Sequence, residues 1–472
     1  MNGFNTAVKG LLASQRSLYI MNHNLSNVNT KGYSRQQGSQ RATTPQNIVG
    51  MGLLGTGTEI YDIVRIRDSY IDFKYWNENA PKGEWEIKKN NLDEIEKLFG
   101  EPSDSSFRKY LDDFFEALET MSTNSSDYSY REPVKENALA LTKHINESAV
   151  RLENLRDGIG HSIDAQVKTI NNITNQIAAL NRQIYSNEIG GRAANDLRDR
   201  RDLLIDDLSK IVNVRVNESE DGKYTVSISG VSIVDHIYVS EIRASDDRSN
   251  IEWSNGSNVK LETGELKGLL DLYNGDGKDN SYRGIPYYQR KLNEFAKGFA
   301  KKFNDIHNSG YRLDGGYGED FFSIDEDKGA AATITLNEDI ISDLKNIAAG
   351  GETGDAEDNA NLLELIKLRD DKNFFEGEEG DDISQGTPDD FLKSIISNLA
   401  VDSMQSQRMH KSQEIVLKNI QSRRDSISGV SYDEETADMV RYQHAYISAA
   451  RMITTMDTIM DVTINRLGLV GR

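Results

Sequence analysis

The sequence predicts a mainly α-helical, elongated chain of several domains, with a smaller β region between its helical parts. Three observations support this prediction. The length of 472 residues exceeds what one ordinary core accommodates. The chain has only six prolines, which leaves room for long uninterrupted helices. Apolar residues recur every seven positions at both chain ends, as expected for paired coiled-coil helices.

The N-terminal segment, residues 1–35, is predicted to be a helix with one apolar seam. The residues at the first heptad position are Phe4, Leu11, Leu18 and Leu25. The residues three positions later are Ala7, Ser14, Met21 and Val28. This spacing places both rows on one face of a helix. Residues 36–58, rich in Gly, Thr and Gln, are predicted to be a linker.

A bundle of long helices is predicted from about residue 84 to residue 211, after a strand-like alternation that begins near residue 58. One heptad row in this bundle consists of Ile163, Ile170, Ile177 and Ile184. Four glycines are predicted to break its helices, namely Gly158, Gly160, Gly190 and Gly191.

The periodicity changes near residue 212, where apolar and polar residues alternate until about residue 260 and predict a small β region. Helical patterning resumes over 263–308 and again over 389–427, and 332–336 is a strand candidate. Residues 350–390 contain fourteen acids against three basic residues. We predict acidic loops there, around one short helix at 359–369.

The C-terminal segment mirrors the N-terminal one. Its first heptad row consists of Met439, Tyr446, Ile453, Met460 and Leu467, and its second row includes Tyr442, Ala449 and Met456. Ser431 precedes three acids in the first predicted turn, a pattern typical of a helix N-terminus.

Since helices at both ends flank a central β-containing region, the chain is predicted to run outward and return. The predicted domains are a terminal helical domain (1–35 plus 432–472), the linker (36–58), a helical bundle (59–211 plus 262–310 plus 389–431) and a β-containing, acidic outer region (212–261 plus 311–388). The N- and C-terminal segments would then build the inner domains together.

Two interpretations of the terminal helices remain open: docking on a core of the same chain, or packing with neighbouring chains. Burial of one seam residue contributes about 1.5–3 kcal/mol, whereas ordering each backbone residue costs about 1–2 kcal/mol. Because hydrogen bonding does not close this gap for an isolated helix in water, each end is expected to be weakly ordered until it meets a partner.

Charge and composition exclude several classes of protein. The formal net charge of −21 argues against broad nucleic-acid binding, although residues 1–58 carry five basic residues and no acid. The absence of cysteine excludes disulfides and thiolate metal sites. No run of 18 apolar residues predicts a membrane span. The N-terminus lacks the pattern of a secretory signal, so any export is expected to use another route.

No motif predicts catalysis, a cofactor or a metal site. Residues 50–55 match G-x-G-x-x-G, but a polar linker precedes them where a dinucleotide site needs a strand. Residues 315–320 match a single copy of a calcium-binding repeat that functions only in tandem. The seven histidines are scattered, and none forms a His-Glu-x-x-His motif. The chain is therefore predicted not to be an enzyme, and calcium binding by the acidic loops stays open.

Residues 24–36 (Asn-Leu-Ser-Asn-Val-Asn-Thr-Lys-Gly-Tyr-Ser-Arg-Gln) resemble the N-terminal signature of bacterial flagellar axial proteins, which comprise rod, hook and hook-associated proteins. The signature residues are Asn27, Asn29, Thr30, Gly32, Tyr33, Ser34, Arg35 and Gln36. In such a turn asparagine side chains satisfy backbone groups at a helix C-terminus, and Gly32 allows a positive φ angle. The ending Gly-Tyr-Ser-Arg-Gln resembles the hook–filament junction members, because rod and hook members more often have Phe at the position of Tyr33.

Further stretches resemble the same family. Residues 429–446 and 449–451 are similar to its terminal helix, and residues 196–213 and 303–311 are similar to its interior. The matches extend from residue 4 to residue 467, and the acidic stretch 350–390 is the least similar part.

The resemblance implies a non-enzymatic structural subunit that joins the flagellar hook to the filament. It implies that the paired terminal helices form the inner layer of a tube, with the helical domain around them and the β-rich domain outermost. The implied partners are other copies of the chain in a ring or helical oligomer, the hook protein, the second junction protein and an export chaperone. The implied location is extracellular, after unfolded export through the flagellar type III apparatus, without nucleic acid or membrane partners.

Two alternatives remain. Another axial subunit, such as a hook, rod or second junction protein, would share the architecture. A cytosolic coiled-coil scaffold, or an enzyme with a β insert, would lack the matches at both termini.

Overall fold

Helices dominate the structure, a computed structural model that describes residues 2–48, 50, 52–99, 107–219, 222–279, 281–351, 355, 357–376 and 385–466. The α-helices are α1 Asn2–Ser26, α2 Ser69–Phe99, α3 Phe107–Met121, α4 Tyr128–Glu188, α5 Asn195–Ile211, α6 Glu265–Asn274, α7 Ile285–His307, α8 Ala330–Thr333, α9 Glu338–Ser342, α10 Ala360–Lys367, α11 Pro388–Ser428 and α12 Tyr432–Asp461. A π-helical turn, Val462–Arg466, continues α12.

The strands are short and form small antiparallel sheets. They are β1 Gln36–Ala42, β2 Gln46–Ile48, β3 Gly52–Leu54, β4 Thr58–Arg65, β5 Val214–Glu218, β6 Tyr224–Ile228, β7 Val231–Asp235, β8 Tyr238–Val239, β9 Ile242–Ala244, β10 Ile251–Trp253, β11 Phe322–Ser323, β12 Thr335–Leu336, β13 Phe375–Glu376 and β14 Gln385–Gly386. The largest described sheet has the order β5-β6-β7-β8, in the region where the alternation predicts strands. The predicted class, mainly α with a smaller β region, is confirmed.

The structure differs from the predicted linker over residues 36–58, because strands lie there. β1 pairs with β4, so that Gln36 lies opposite Arg65 and Ala42 lies opposite Thr58. β2 and β3 form a separate hairpin. α1 packs against the β1–β4 ribbon, and a Cβ atom at Gly38 would lie 3.0 Å from Cδ1 of Ile20. Backbone pairing and this helix contact stabilise polar strands whose composition is typical of a linker.

The long helix α4 contains 61 residues and runs through Gly158 and Gly160, where breaks were predicted. Packing explains the difference at Gly160, since a Cβ atom there would lie 3.1 Å from Cδ of Arg248. The glycine lets another segment approach the helix closely instead of ending it. The predicted heptad row of isoleucines in α4 is buried.

The buried apolar residues of the described ranges form two main clusters. The larger one is continuous from α2 to α11 and includes both the helical bundle and the four-stranded sheet. The smaller one consists of Ile20, Met21 and Ile60, and Met439 and Tyr442 pack against it. The terminal helices therefore have a small core of their own beside the main body.

Candidate functional site

The two terminal helices, α1 and α12, pack against each other in antiparallel orientation. Near one end of the pair, a Cβ atom at Gly3 would lie 2.8 Å from Cε of Met456. Near the other end, the amide of Asn24 donates a 3.0 Å hydrogen bond to Glu435. The first helix of the chain thus meets the last one along its length.

Most of the predicted seam residues are half-buried at this contact, whereas Ser14 and Met21 are buried and Val28 is exposed. The half-buried residues include, on α1, Phe4, Leu11, Leu18 and Leu25, and on α12, Met439, Tyr442, Tyr446, Ala449, Ile453, Met456 and Met460. Leu467 lies outside the described residues. A single chain therefore buries the seam only in part, and the deeper burial of Ile20 and Met21 depends on the β1–β4 ribbon.

The faces of α1 and α12 away from the seam carry further apolar side chains in solvent. On α1, Leu12 is 48% exposed and Tyr19 is 71% exposed. On α12, the exposed apolar residues are Val440, Ile447, Met452 and Ile459. Val440 and Ile447 are one heptad apart, as are Met452 and Ile459, so each pair lies on one helix face. Such surface is typical of a protein–protein contact.

The signature residues form a turn that connects α1 to β1. The Asn27 amide donates to the His23 carbonyl at 2.9 Å, and the Thr30 hydroxyl donates to the side chain of Asn27. Gly32 has a φ angle of +80°, a conformation that favours glycine. Asn29 is exposed. This turn provides a hydrogen bond to a backbone carbonyl at the end of α1 and reverses the chain toward β1.

Asn24 is the centre of the hydrogen bonds behind this turn. Its amide nitrogen donates to the Gln36 carbonyl at 2.9 Å and to Glu435 at 3.0 Å. Its carbonyl oxygen accepts from the Tyr33 hydroxyl at 2.7 Å and from the Gln36 amide at 3.0 Å. The residue is 0% exposed. One side chain thus joins α1, β1 and α12.

A row of aspartates on α5 connects the turn to the main body. Asp196 accepts from the Gln36 side chain at 2.8 Å, and Asp199 accepts from the Ser34 amide at 3.0 Å. Asp202 and Asp199 both contact Arg65, at 2.9 and 2.7 Å. The spacing of three residues places these carboxylates along one face of the helix.

Buried ion pairs extend this network to α11. Arg424 contacts Asp72 at 2.8 Å and Asp206 at 2.7 Å, and the Trp76 indole also donates to Asp206. Arg67 contacts Asp72 at 2.6 Å. We call this set of polar residues, from Asn24 to Arg424, the joint; its members are largely buried, except for Asp196, whose side chain is 62% exposed.

The pKa values of the joint reflect a balance between burial and opposite charge. Burial alone raises the pKa of Asp202, but the positive charges of Arg67 and Arg65 outweigh it and lower that pKa overall. Burial raises the pKa of Asp206, although Arg424 opposes this shift. Burial also raises the pKa of Glu435, and the hydrogen bond from Asn24 offsets part of the effect. The joint therefore places buried aspartates beside arginines, which offsets the cost of burying them.

The structure brings together the segments that carry the family resemblance. Residues 24–36, 196–206 and 424–435 are far apart in the sequence and meet in the joint. Sequence reasoning singled out Gly32 to Gln36 but assigned no site role to Asn24, Arg424 or Glu435. The aspartates at intervals of three and four on α5 show in the sequence that this helix has an acidic face, but they do not identify its partners.

The described residues contain no group of three or more acids and histidines that could hold a metal ion. His307 is fully buried and used structurally, since its Nε2 accepts from the Ala348 amide at 2.9 Å. Burial lowers the pKa of His307 to about 4. Nor does any helix in the described ranges combine the length and apolar content that a membrane crossing needs.

Comparisons with known proteins agree with this arrangement. The family model of the flagellar hook-associated protein FlgK helical domain matches residues 92–322, and that of the flagellar basal body rod FlgEFG protein C-terminal region matches residues 421–467. The latter match covers the end of α11 and all of α12.

Flagellar hook-associated protein 1 of Bacillus subtilis (strain 168) is 31% identical, and the alignment covers 100% of this chain and 99% of the relative. The protein of that name from Escherichia coli (strain K12) is 24% identical, with 98% of this chain and 99% of the relative covered.

The solved structure of the flagellar hook junction protein FlgK from Burkholderia pseudomallei has the same fold. Its TM-score is 0.65 at 15% identity, and the match covers 75% of this chain and 100% of that structure. Together with the full-length sequence match, this establishes that the chain belongs to the family of flagellar hook-associated protein 1, the hook–filament junction protein of the bacterial flagellum.

Proposed function

We propose that this chain joins the hook to the filament as a non-enzymatic structural subunit that assembles through α1 and α12. The observation that carries the proposal is the apolar surface of this helix pair. A single chain half-buries its seam and leaves Leu12, Tyr19 and Ile459 in solvent. Neighbouring subunits that cover these residues would add the burial that one chain lacks.

The joint supports the same proposal. A subunit in a junction must keep its assembling helices at a defined orientation to its body, and a paired, buried network resists reorientation. We propose residues 1–35 plus 432–472 as the inner-tube domain and 59–211 plus 262–310 plus 389–431 as the helical domain around it. Residues 212–261 plus 311–388 are proposed to face outward.

The proposed partners are further copies of the chain in a ring or helical oligomer, the hook protein, the second junction protein and a flagellar export chaperone. The proposed location is outside the cell, after unfolded export through the flagellar type III apparatus. A chain without cysteine suits this route, since it forms no disulfide before or after export.

Ile453→Asp tests the assembly surface. A charge in the half-buried seam should block incorporation, because burial of an unpaired carboxylate is costly. Cells that make this variant should release flagellin into the medium while the purified variant keeps the circular dichroism of its folded body. Tyr446→Asp should act in the same way.

Thr169→Asp is the control, since it adds the same charge to an exposed position of α4, outside the terminal helices. This variant should assemble better than Ile453→Asp. Normal filaments from Ile453→Asp would contradict the proposal.

The alternative is that the chain is another axial subunit, and the C-terminal match to the rod protein family favours keeping it. Labelling of the subunit on purified hook–filament structures separates the two. We expect label at the distal end of the hook, whereas label along the hook or rod would support the alternative.

A further inference from the structure

The helix α11 carries a second heptad stripe on its solvent side. One face of α11 packs against α2 and is buried, as shown by Ser403, Ser406 and Leu417. The opposite face is exposed at positions separated by three and four residues: Val401, Met404, Arg408, Lys411, Ile415 and Lys418. This spacing aligns six side chains on one line about 25 Å long.

Half of this stripe is apolar and exposed. Met404 is 63% exposed, Ile415 is 53% exposed and Val401 is 48% exposed. Burial of each side chain against a partner would stabilise the contact, because it removes apolar surface from water. An a/d arrangement of this kind is the geometry by which one helix packs against another.

The other half of the stripe is basic, in a chain with a net charge of −21. Residues 403–424 contain five basic residues and one acid, and only Arg424 among these five belongs to the joint. Within the described part of the chain, Arg408, Lys411 and Lys418 form no ion pair and are exposed. Elsewhere on the body, lysines commonly pair with acids one helical turn away, as Lys109 does with Asp113.

We propose that this stripe, Val401 to Lys418, is a contact surface for an acidic face on the body of a neighbouring copy of the same chain. We choose a second copy as the partner because its charge is complementary to that of the stripe. The second copy has an excess of carboxylates, and the stripe has cations that form no ion pair within the described chain. The inference rests on the proposed role as an assembling subunit, and it adds a contact outside the terminal helices. The apolar side chains provide burial, and the basic ones select the acidic partner.

A zero-length carbodiimide cross-link tests the contact, because it joins a lysine amine to a carboxylate only where the two touch. The sample is purified hook–filament structures from cells that make no other version of this chain and keep the second junction protein. We expect a dimer of the chain in which Lys411 or Lys418 is joined to an Asp or Glu of a second copy, identified by mass spectrometry. The intrachain pair Lys297 and Glu326, 2.7 Å apart and exposed, is the internal control for the reagent.

If Lys297 is joined to Glu326 while Lys411 and Lys418 are unlinked, or linked to another protein, the stripe does not contact a second copy. Failure of the chain to enter hook–filament structures at all would instead count against the proposed function.

Charge reversal gives a second, independent measurement. Lys411→Glu together with Lys418→Glu should weaken filament attachment about tenfold or more, since like charges would then face each other. Lys143→Glu together with Lys168→Glu makes the same charge change at exposed positions of α4 and should leave attachment near the wild-type level. Equal attachment in the two double variants would contradict the proposal.

Discussion

At the scale of single residues, Asn24 is the most constrained side chain of the joint. Its amide nitrogen and its carbonyl oxygen form four hydrogen bonds with three residues, which lie in the turn, on β1 and on α12. An asparagine with satisfied donors and acceptors stabilises one arrangement of these elements, whereas an unsatisfied partner is costly when buried.

Asn24→Ala should destabilise the joint by about 1–3 kcal/mol, because it leaves the Gln36 amide and the Glu435 carboxylate without this partner. Hydrogen exchange of residues 24–36 measures the effect. Asn29→Ala is the control, since Asn29 belongs to the same signature but is exposed. Equal effects from the two variants would show that Asn24 is not the centre of the network.

Glu435 should make the joint pH-dependent. Because burial raises its pKa in the folded state, the folded chain holds this proton more tightly than the unfolded chain does. The contribution of Glu435 to stability is therefore present at low pH and lost as the pH rises through the raised pKa. The facing charges are Arg35, which opposes the shift, and Asp438 and Glu434, which add to it.

Glu435→Gln removes this titration and keeps an oxygen that accepts from Asn24. The variant should therefore gain stability relative to wild type as the pH rises from about 4 to 7. Thermal unfolding of the two proteins across this range measures the difference. A constant difference at all pH values would show that folding does not shift the pKa of Glu435.

At the scale of elements, the joint depends on α5 and α11 presenting opposite charges to one another. Arg424 on α11 lies between Asp206 of α5 and Asp72 of α2, and all three are largely buried. Removing one partner of such a group leaves a carboxylate without its counter-charge.

Arg424→Met should lower the free energy of unfolding of the body by about 3 kcal/mol, since Met keeps most of the volume but not the charge. Urea denaturation followed by circular dichroism measures this loss. The neighbouring Arg423 is exposed, so Arg423→Met should change stability by less than about 0.5 kcal/mol. A similar loss in both variants would assign the effect to the helix rather than to the buried ion pairs.

At the scale of the whole molecule, the terminal helices should be less stably ordered than the body. The body has one continuous core, whereas the α1–α12 pair relies on the small cluster around Ile20, Met21 and Ile60. Local opening costs less free energy where few apolar side chains are buried. The chain is thus organised as a stable body that carries an assembly module.

Hydrogen exchange on the dilute monomer measures this inequality. We expect residues 2–35 and 435–466 to exchange faster than residues 107–211, and assembly with other copies should slow exchange at the ends. Strong protection of both ends in the monomer would contradict assembly-coupled ordering.

Local sequence patterns were sufficient to predict much of the secondary structure of this protein. Heptad spacing predicts α1, α12 and the buried isoleucine row of α4, because 3.6 residues per turn make helix faces visible in one dimension. Alternation predicts the strands after residue 212, because successive side chains of a strand point to opposite faces of the sheet. The turn at Gly32 follows from local chemistry, since its φ angle is positive.

The sequence by itself determined the helical class, the two seam helices and the family, because periodicity and short motifs are local properties. Only the tertiary structure decided that polar residues 36–58 pair as strands and that α4 continues through Gly160. It also decided that Asn24, Asp206 and Arg424 belong to one joint. Contacts between residues so far apart in the chain depend on how the elements pack, and no local pattern contains that information.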